Sequence, residues 1–437
     1  MYLGKPGTKF IPFEVINLPL GRKIQFNQLP MPVTISHPAP SALANSTAGS
    51  PRVIAGYRGI PLYVYVVSIS SLLTVIGILW DISWHRSIGR DKFLSPPHIL
   101  IYLGAIFAGL FSGIQVLWNS FRPDAESKAS LIKVWGIFYS SLGALFCIWG
   151  AIAMLTSAPF DNWWHSAYGL DVRILSPPHS LLGLGMKFLT FGACVSICKY
   201  INVLYAEGRP QGSRLAQLQL LFLICSSSLL CMLNTLGTSW LETRDMRDPT
   251  FYEVGTVIAL LFLPALGRAL RMKWGMTLIA FGYFLIAGVS NWILQLYPAE
   301  TKLGPILTHT TYFQPANFPL LLFIPAAAMD IVMNRLKGND WSRALLMSLF
   351  FVLLLFAIQY PFSGFLLESP AARNWFFGSG SWYYALAPDW PYRYKFRPNS
   401  VANWQTMAKG LSVAVLVGTI AGRISLRWGQ WMQRIQR

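Results

Sequence analysis

Two groups of side chains in this sequence could each hold a metal ion. Asp81, His85 and His98 lie in DISWHRSIGRDKFLSPPH, residues 81–98, and Asp161, His165 and His179 lie in DNWWHSAYGLDVRILSPPH, residues 161–179. Both stretches follow one pattern, D-x-x-W-H-x-x-x-G-x-D, then three or four residues, then S-P-P-H. Four of the 6 histidines of the chain fall in it. One carboxylate with two neutral imidazoles leaves coordination positions open and suits non-haem iron, copper or zinc, with geometry deciding among them. A lone Asp or His at a helix end is ordinarily a cap or a solvated group. The same set occurring twice at nearly the same offsets points instead to two metal sites.

The elements that must position these groups follow from the spacing. Asp and His four residues apart share one helix face. Ser-Pro-Pro-His reads as a helix start, with Ser as N-cap and Pro in the first turn, where no amide proton is needed. Each site therefore bridges the end of one helix and the start of the next. Asp91 and Asp171 follow the first His of each copy by six residues. They are expected to orient an imidazole or to add a ligand. Trp84 and Trp164 precede that His and are expected to wall the sites.

The helices are expected to cross a membrane. Of 437 residues, 54% are hydrophobic and 12% charged, whereas soluble domains carry about 25% charged residues. Mean hydropathy is +0.45. Apolar runs near the roughly 20 residues needed to cross a bilayer predict an all-α, polytopic transmembrane bundle of about ten spans. They are placed near 59–80, 98–118, 133–156, 179–201, 216–236, 253–271, 273–297, 317–335, 343–362 and 407–424. Residues 1–58 are polar and Pro-rich, without the apolar run of a secretion signal. They read as a cytoplasmic arm.

The net charge of +18 comes from Lys and Arg gathered in alternate connections: Arg122 to Lys133, Lys199 to Arg214, Arg268 to Lys273, Arg335 to Arg343 and the tail from Arg423. The positive-inside rule puts these, and both termini, in the cytoplasm. Both motif loops then face the outer, periplasmic side of the cell (inner) membrane. Charge arranged this way argues for contact with the lipid bilayer and against nucleic acid.

Residues 59–205 form a four-span metal-binding half, and 206–437 a further six-span region. Its outer loop at 363–406 is dense in aromatics and reads as an interfacial belt, a lid or a partner surface. Lys187 sits about two turns inside the fourth span, where an ionisable group is a functional candidate by default. Asp330 reads as interfacial, Gly109 and Gly113 as a close-packing face, and His37 and His309 as solvated loop residues. The five cysteines lie in apolar runs without zinc-like spacing.

The first motif, with Asp81, Ser83, Trp84, His85, Arg90, Asp91, Phe93, Pro96 and His98, resembles the C subunit of the copper membrane monooxygenases, particulate methane and ammonia monooxygenase. The resemblance covers residues 60–200 and extends through Trp163, Ser176 and Pro177 to the second motif. It implies copper at Asp81, His85 and His98, and a second site at Asp161, His165 and His179, where Asp161 replaces an Asn common in that family. It also implies oxidation of a small substrate with dioxygen, in a complex with other membrane subunits. A non-catalytic subunit of a larger membrane complex is the alternative. A metal transporter would need ligands continuing through the membrane, and the sequence offers little beyond Lys187.

Overall fold

Long apolar runs with few helix breakers give long helices. The computed structural model describes residues 59–89, 92–121, 128–169, 176–237, 240–302, 310–378 and 396–436. In chain order the helices are α1 (Leu62–Ser87), α2 (Pro96–Phe121), α3 (Leu142–Tyr168), α4 (Pro177–Ala206), α5 (Ser213–Leu236), α6 (Pro249–Leu270), α7 (Gly275–Leu294), α8 (Phe323–Arg335), α9 (Asp340–Glu368) and α10 (Trp404–Met432). Among the described residues, all but α8 are long and apolar enough to cross a membrane. The chain is thus an all-α, multi-pass bundle of the membrane type.

On α2, Leu103, Ile106, Phe107, Leu110, Ile114 and Leu117 are exposed. They recur at three- and four-residue steps, an apolar stripe of the kind a helix turns toward an apolar neighbour. The opposite face of α2 buries Ile101, Ala105, Ala108 and Ser112. Such a helix is apolar all round, as lipid contact requires.

Two predicted spans form differently. The third begins at Leu142 rather than 133 and runs on to Tyr168. Residues 132–140 instead make a small hairpin, β1 (Ile132–Val134) against β2 (Phe138–Ser140). Its turn places Trp135 at φ 50° and Gly136 at φ 73°, the paired positive angles of a hairpin turn.

The eighth span, expected over 317–335, is helical only from Phe323. Thirteen residues give a helix of only about 20 Å, short of the roughly 30 Å apolar core of a bilayer. Pro315 and Pro319 hold the preceding stretch extended, because each lacks an amide proton and disfavours helix at the residue before it. The backbone of that stretch is satisfied by side chains. Ser83 donates to the Gln314 carbonyl at 2.6 Å, and the Gln314 amide donates to the Ser87 hydroxyl at 2.7 Å. Asn291 donates to the Ala316 and Asn317 carbonyls, each at 3.2 Å, and the Leu320 amide donates to Tyr283. Irregular backbone at such depth persists only when protein supplies its partners.

The first four helices pack as antiparallel neighbours. Gly77 faces Ile101 and Gly104 faces Thr74 across α1 and α2. Gly109 lies against Ala151, and the Tyr139 amide donates to Ser120, which fixes α2 against the segment leading into α3. Gly113, expected to share the Gly109 contact, faces open space.

The tightest pair is α3 with α4. A Cβ on Gly150 would lie 2.7 Å from the Gly185 carbonyl oxygen, and one on Gly143 2.7 Å from that of Gly192. Glycines seven apart on each helix let the two backbones touch.

One apolar core joins this half to the later helices. Asn202, near the end of α4, donates to the Met432 and Ile435 carbonyls at 2.8 Å each.

Candidate metal centres

Asp81 and His85 occupy the last two turns of α1, and His98 the first turn of α2. Asp161 and His165 occupy the corresponding turns of α3, and His179 the first turn of α4. The antiparallel register carries both sets to the same end of the four-helix half. Pairings of 120 with 139 and 109 with 151, continued at equal steps, bring the start of α2 level with the Asp161 turn.

Each triplet comes together around its carboxylate. Asp81 Oδ2 is 3.7 Å from His85 Nε2, and Asp81 Oδ1 is 3.3 Å from His98 Nε2. Asp161 Oδ2 is 3.4 Å from His165 Nε2, and Asp161 Oδ1 is 3.7 Å from His179 Nε2. In both copies the two imidazoles therefore approach opposite oxygens of one carboxylate. Among the described residues, no group of three His, Cys, Asp or Glu side chains is drawn together tightly enough to grip an ion as it stands. The two findings agree: the triplets are assembled pairwise about the carboxylate and are not closed into a cage.

The donor set still fits a cation. Asp81 Oδ1 and Asp161 Oδ1 are both shut off from solvent, and neither accepts a hydrogen bond. A buried carboxylate oxygen in that state carries a desolvation cost, which a cation would relieve. The second triplet is further prepared. His165 Nδ1 lies 3.1 Å from the Gly169 carbonyl, and His179 Nδ1 lies 2.9 Å from the Ser176 hydroxyl. A carbonyl accepts only, so it fixes the proton of His165 on Nδ1 and leaves the Nε2 lone pair facing Asp161. Metal-ligating histidines are held in this way.

The two serines of the repeat diverge. Ser176 caps α4, accepting from the His179 amide at 3.4 Å. The hydroxyl of Ser95 accepts from the Lys92 amide at 2.7 Å and so tightens the loop before α2.

The surroundings differ as well. Asp81 is 13% exposed and Asp161 27%. Thr301 and residues 310–316 pack on the end of α1 that carries the first site: Thr301 and Thr310 donate to the Ser87 carbonyl, and Phe313 packs on Trp84 with ring centroids 6.2 Å apart. Around the second site, Trp164 packs on Tyr168 with centroids 4.5 Å apart, beside Phe160 and Trp163. Asp91, Asp171, Arg90, His37, His309, residues 1–58 and the loop residues 379–395 lie outside the described residues.

Other candidates resolve variously. Lys187 is half-buried on α4. Lys199, expected in a basic connection, is only 1% exposed within α4 and reaches the Ser130 carbonyl at 3.5 Å; α4 runs to Ala206, five residues past the predicted span. Asp330, expected at the interface, is buried and accepts from the Met276 and Thr277 amides and the Thr277 hydroxyl. It caps α7, which begins without a capping side chain of its own.

Neither the Nδ1 partner Gly169 nor the packing of residues 310–316 on the end of α1 was expected from the sequence. Only the glycine after a run of helix-formers hinted at the first, and nothing local hinted at the second. Comparison with known proteins yields no matching family model, no matching characterised protein and no matching solved structure.

Proposed function

We propose that the chain is a membrane metalloprotein subunit with two Asp/His/His sites on its outer face. Asp81, His85 and His98 hold one ion, and Asp161, His165 and His179 the other. The observation that carries this reading is the second triplet, where His165 Nδ1 lies 3.1 Å from the Gly169 carbonyl, its Nε2 lies 3.4 Å from Asp161 Oδ2, and the other carboxylate oxygen, Oδ1, is buried without a hydrogen bond 3.7 Å from His179 Nε2.

The donor set, one carboxylate and two imidazoles, suits copper, with iron and zinc as the other choices. The resemblance to the copper membrane monooxygenase C subunit favours copper. Bound there, the metal would supply redox chemistry toward dioxygen and a small, poorly reactive substrate. The chain's own residues orient the imidazoles, through Gly169 for His165 and Ser176 for His179. By the positive-inside rule both sites face the periplasm of the cell membrane, and the extended stretch before α8 completes a tenth crossing.

In the test, His98→Ala and His179→Ala are purified alongside the parent chain and metal is counted by elemental analysis. Each substitution is expected to remove one equivalent, and the double variant both. Metal content unchanged in all three variants would sink the assignment.

A second reading is a structural subunit of a larger membrane complex. The pairwise geometry of the triplets favours it, since an Asp shared by two His is also a stable ion-pair device. Copper-dependent turnover of the purified complex, abolished by His98→Ala or His179→Ala, distinguishes the first reading from the second.

A further inference from the structure

Helix α4 runs from the second triplet to the opposite end of the molecule, where Asn202 donates to the close of α10. At that end three guanidinium groups, Arg268 on α6, Arg343 on α9 and Arg423 on α10, gather around one carboxylate, Asp340. Asp340 is shared thinly. Its Oδ1 lies 3.5 Å from Arg343 Nη1, and its Oδ2 lies 3.8 Å from Arg423 Nη1 and accepts from Gln430 at 3.4 Å. Among the described residues the other side-chain contacts of these arginines are neutral. Arg268 donates to the Leu426 carbonyl at 3.0 Å, Arg343 donates twice to the Leu336 carbonyl at 3.1 Å, and Arg423 lies 5.7 Å over the Trp341 ring. Nε and Nη1 of Arg423 are closed to water and hydrogen-bond to nothing among the described residues. Of the other acids at this end, Asp330 serves the amides that open α7, and Glu207 stands at the close of α4.

Three positive charges thus face one negative. Carbonyl oxygens and a ring face orient a guanidinium without cancelling its charge. Arg343, Arg423 and Asp340 are only 22%, 25% and 18% exposed, and partly buried charge is screened less than exposed charge. Unmet donors on a charged group are costly, and a phosphate oxygen matches a guanidinium fork.

The helix faces that lead from this cluster toward mid-helix are apolar and open. Leu345 lies one turn from Trp341 on α9, and Ile420 and Leu416 lie one and two turns from Arg423 on α10. All three are exposed, Leu416 at 63%. The contact of Arg423 with Trp341 puts both faces on one side of the α9–α10 seam. Trp341 is itself exposed, as suits an aromatic side chain at headgroup level. A cationic cluster at the head of an exposed apolar track has the outline of a phospholipid. A zwitterionic lipid would bring an ammonium that adds to the excess charge, so a net negative headgroup is favoured.

We propose that Arg268, Arg343 and Arg423 bind the phosphate of an anionic phospholipid, whose acyl chain lies along Leu345, Ile420 and Leu416. The site uses none of the six Asp and His residues of the triplets, and it stands or falls separately from the metal reading.

The full chain, purified in neutral detergent, is titrated with phosphatidylglycerol or phosphatidylcholine, and retained lipid is counted by native mass spectrometry. Phosphatidylglycerol is expected to bind about tenfold more tightly, and Arg343→Gln and Arg423→Gln should each weaken it about tenfold, the loss of one charge-assisted contact. Arg209→Gln removes the same charge from the connection after α4, outside the cluster, and should change retention little. Asp340→Asn keeps the side-chain shape and removes the competing charge, so it should tighten retention several-fold. That opposite sign keeps the test decisive if an arginine variant fails to fold. Equal retention of the two lipids, equal losses in Arg209→Gln and Arg423→Gln, or unchanged retention in Asp340→Asn would overturn the proposal. Binding of inorganic phosphate in calorimetry with no lipid retained would also overturn it, since the cluster would then be a site for a free oxyanion.

Discussion

Ser176 holds His179 at two points, through the amide that it caps and through Nδ1 of the ring. Ser95 occupies the same place in the repeat but accepts from Lys92 instead. The substitution Ser176→Ala should therefore cost about 1 kcal/mol as a lost cap and weaken metal at the second site about 10- to 100-fold, as loss of an orienting partner does. Chelator competition on the purified chain should show one weakened and one unaltered equivalent. Ser95→Ala should leave both affinities closer to the parent values. An equal effect of the two substitutions would mean that the hydroxyl contact to Nδ1 contributes nothing.

At the scale of elements, the second site depends on how closely α3 and α4 approach. Asp161 and His165 ride on one helix and His179 on the other, so any splay separates the ligands. Gly150→Leu would drive a side chain into the Gly185 backbone, where a Cβ alone already lies 2.7 Å from the carbonyl oxygen. Overpacking costs about 1–3 kcal/mol where neighbours can shift, and backbone yields less readily than side chains. Loss of one metal equivalent with the other retained is the expected result, read by elemental analysis on protein that still elutes as a single species. Gly113→Leu, into open space, is the control and should change neither.

The extended stretch before α8 makes a second element-scale test. Asn291 alone serves two carbonyls there. Asn291→Leu leaves both without that donor, at about 1–3 kcal/mol for each buried group. The drop should appear as a lowered midpoint of thermal unfolding. An unchanged midpoint would show that the stretch does not need this support.

For the whole molecule, the outer face of α2 identifies its surroundings. Leu110 is 54% exposed in the middle of an apolar stripe. In water that stripe would be a liability, whereas in lipid it is matched. Leu110→Asp should cost about 2.5–3.5 kcal/mol of insertion free energy at mid-bilayer depth, seen as reduced yield in the membrane fraction. Ser120→Asp, at the helix end, should be tolerated better. Equal yields for the two would argue that this face is covered by protein.

Much of this was legible in the sequence because it is local. A four-residue Asp–His step fixes a shared helix face, Ser-Pro-Pro-His starts a helix, and runs of apolar residues with few charges make membrane-length helices. These depend on backbone geometry and solvation alone. The boundaries that failed also failed for local reasons: the Trp135-Gly136 turn and the Pro315 and Pro319 pair interrupt apolar runs without adding a charge.

Contacts between distant residues were another matter. That Gly150 and Gly185 pair, that Asp330 caps α7, that Lys199 lies buried against Ser130, and that Gln314 bonds Ser83 and Ser87 all join residues 35 to 231 positions apart. No periodicity or motif encodes such pairings, because they arise only when whole helices have packed. The sequence by itself determined which Asp and His residues form the repeated triplets and on which helix ends they stand. The tertiary structure decided how near they come, which is to opposite oxygens of one carboxylate, because helix packing sets distances that spacing along a chain cannot.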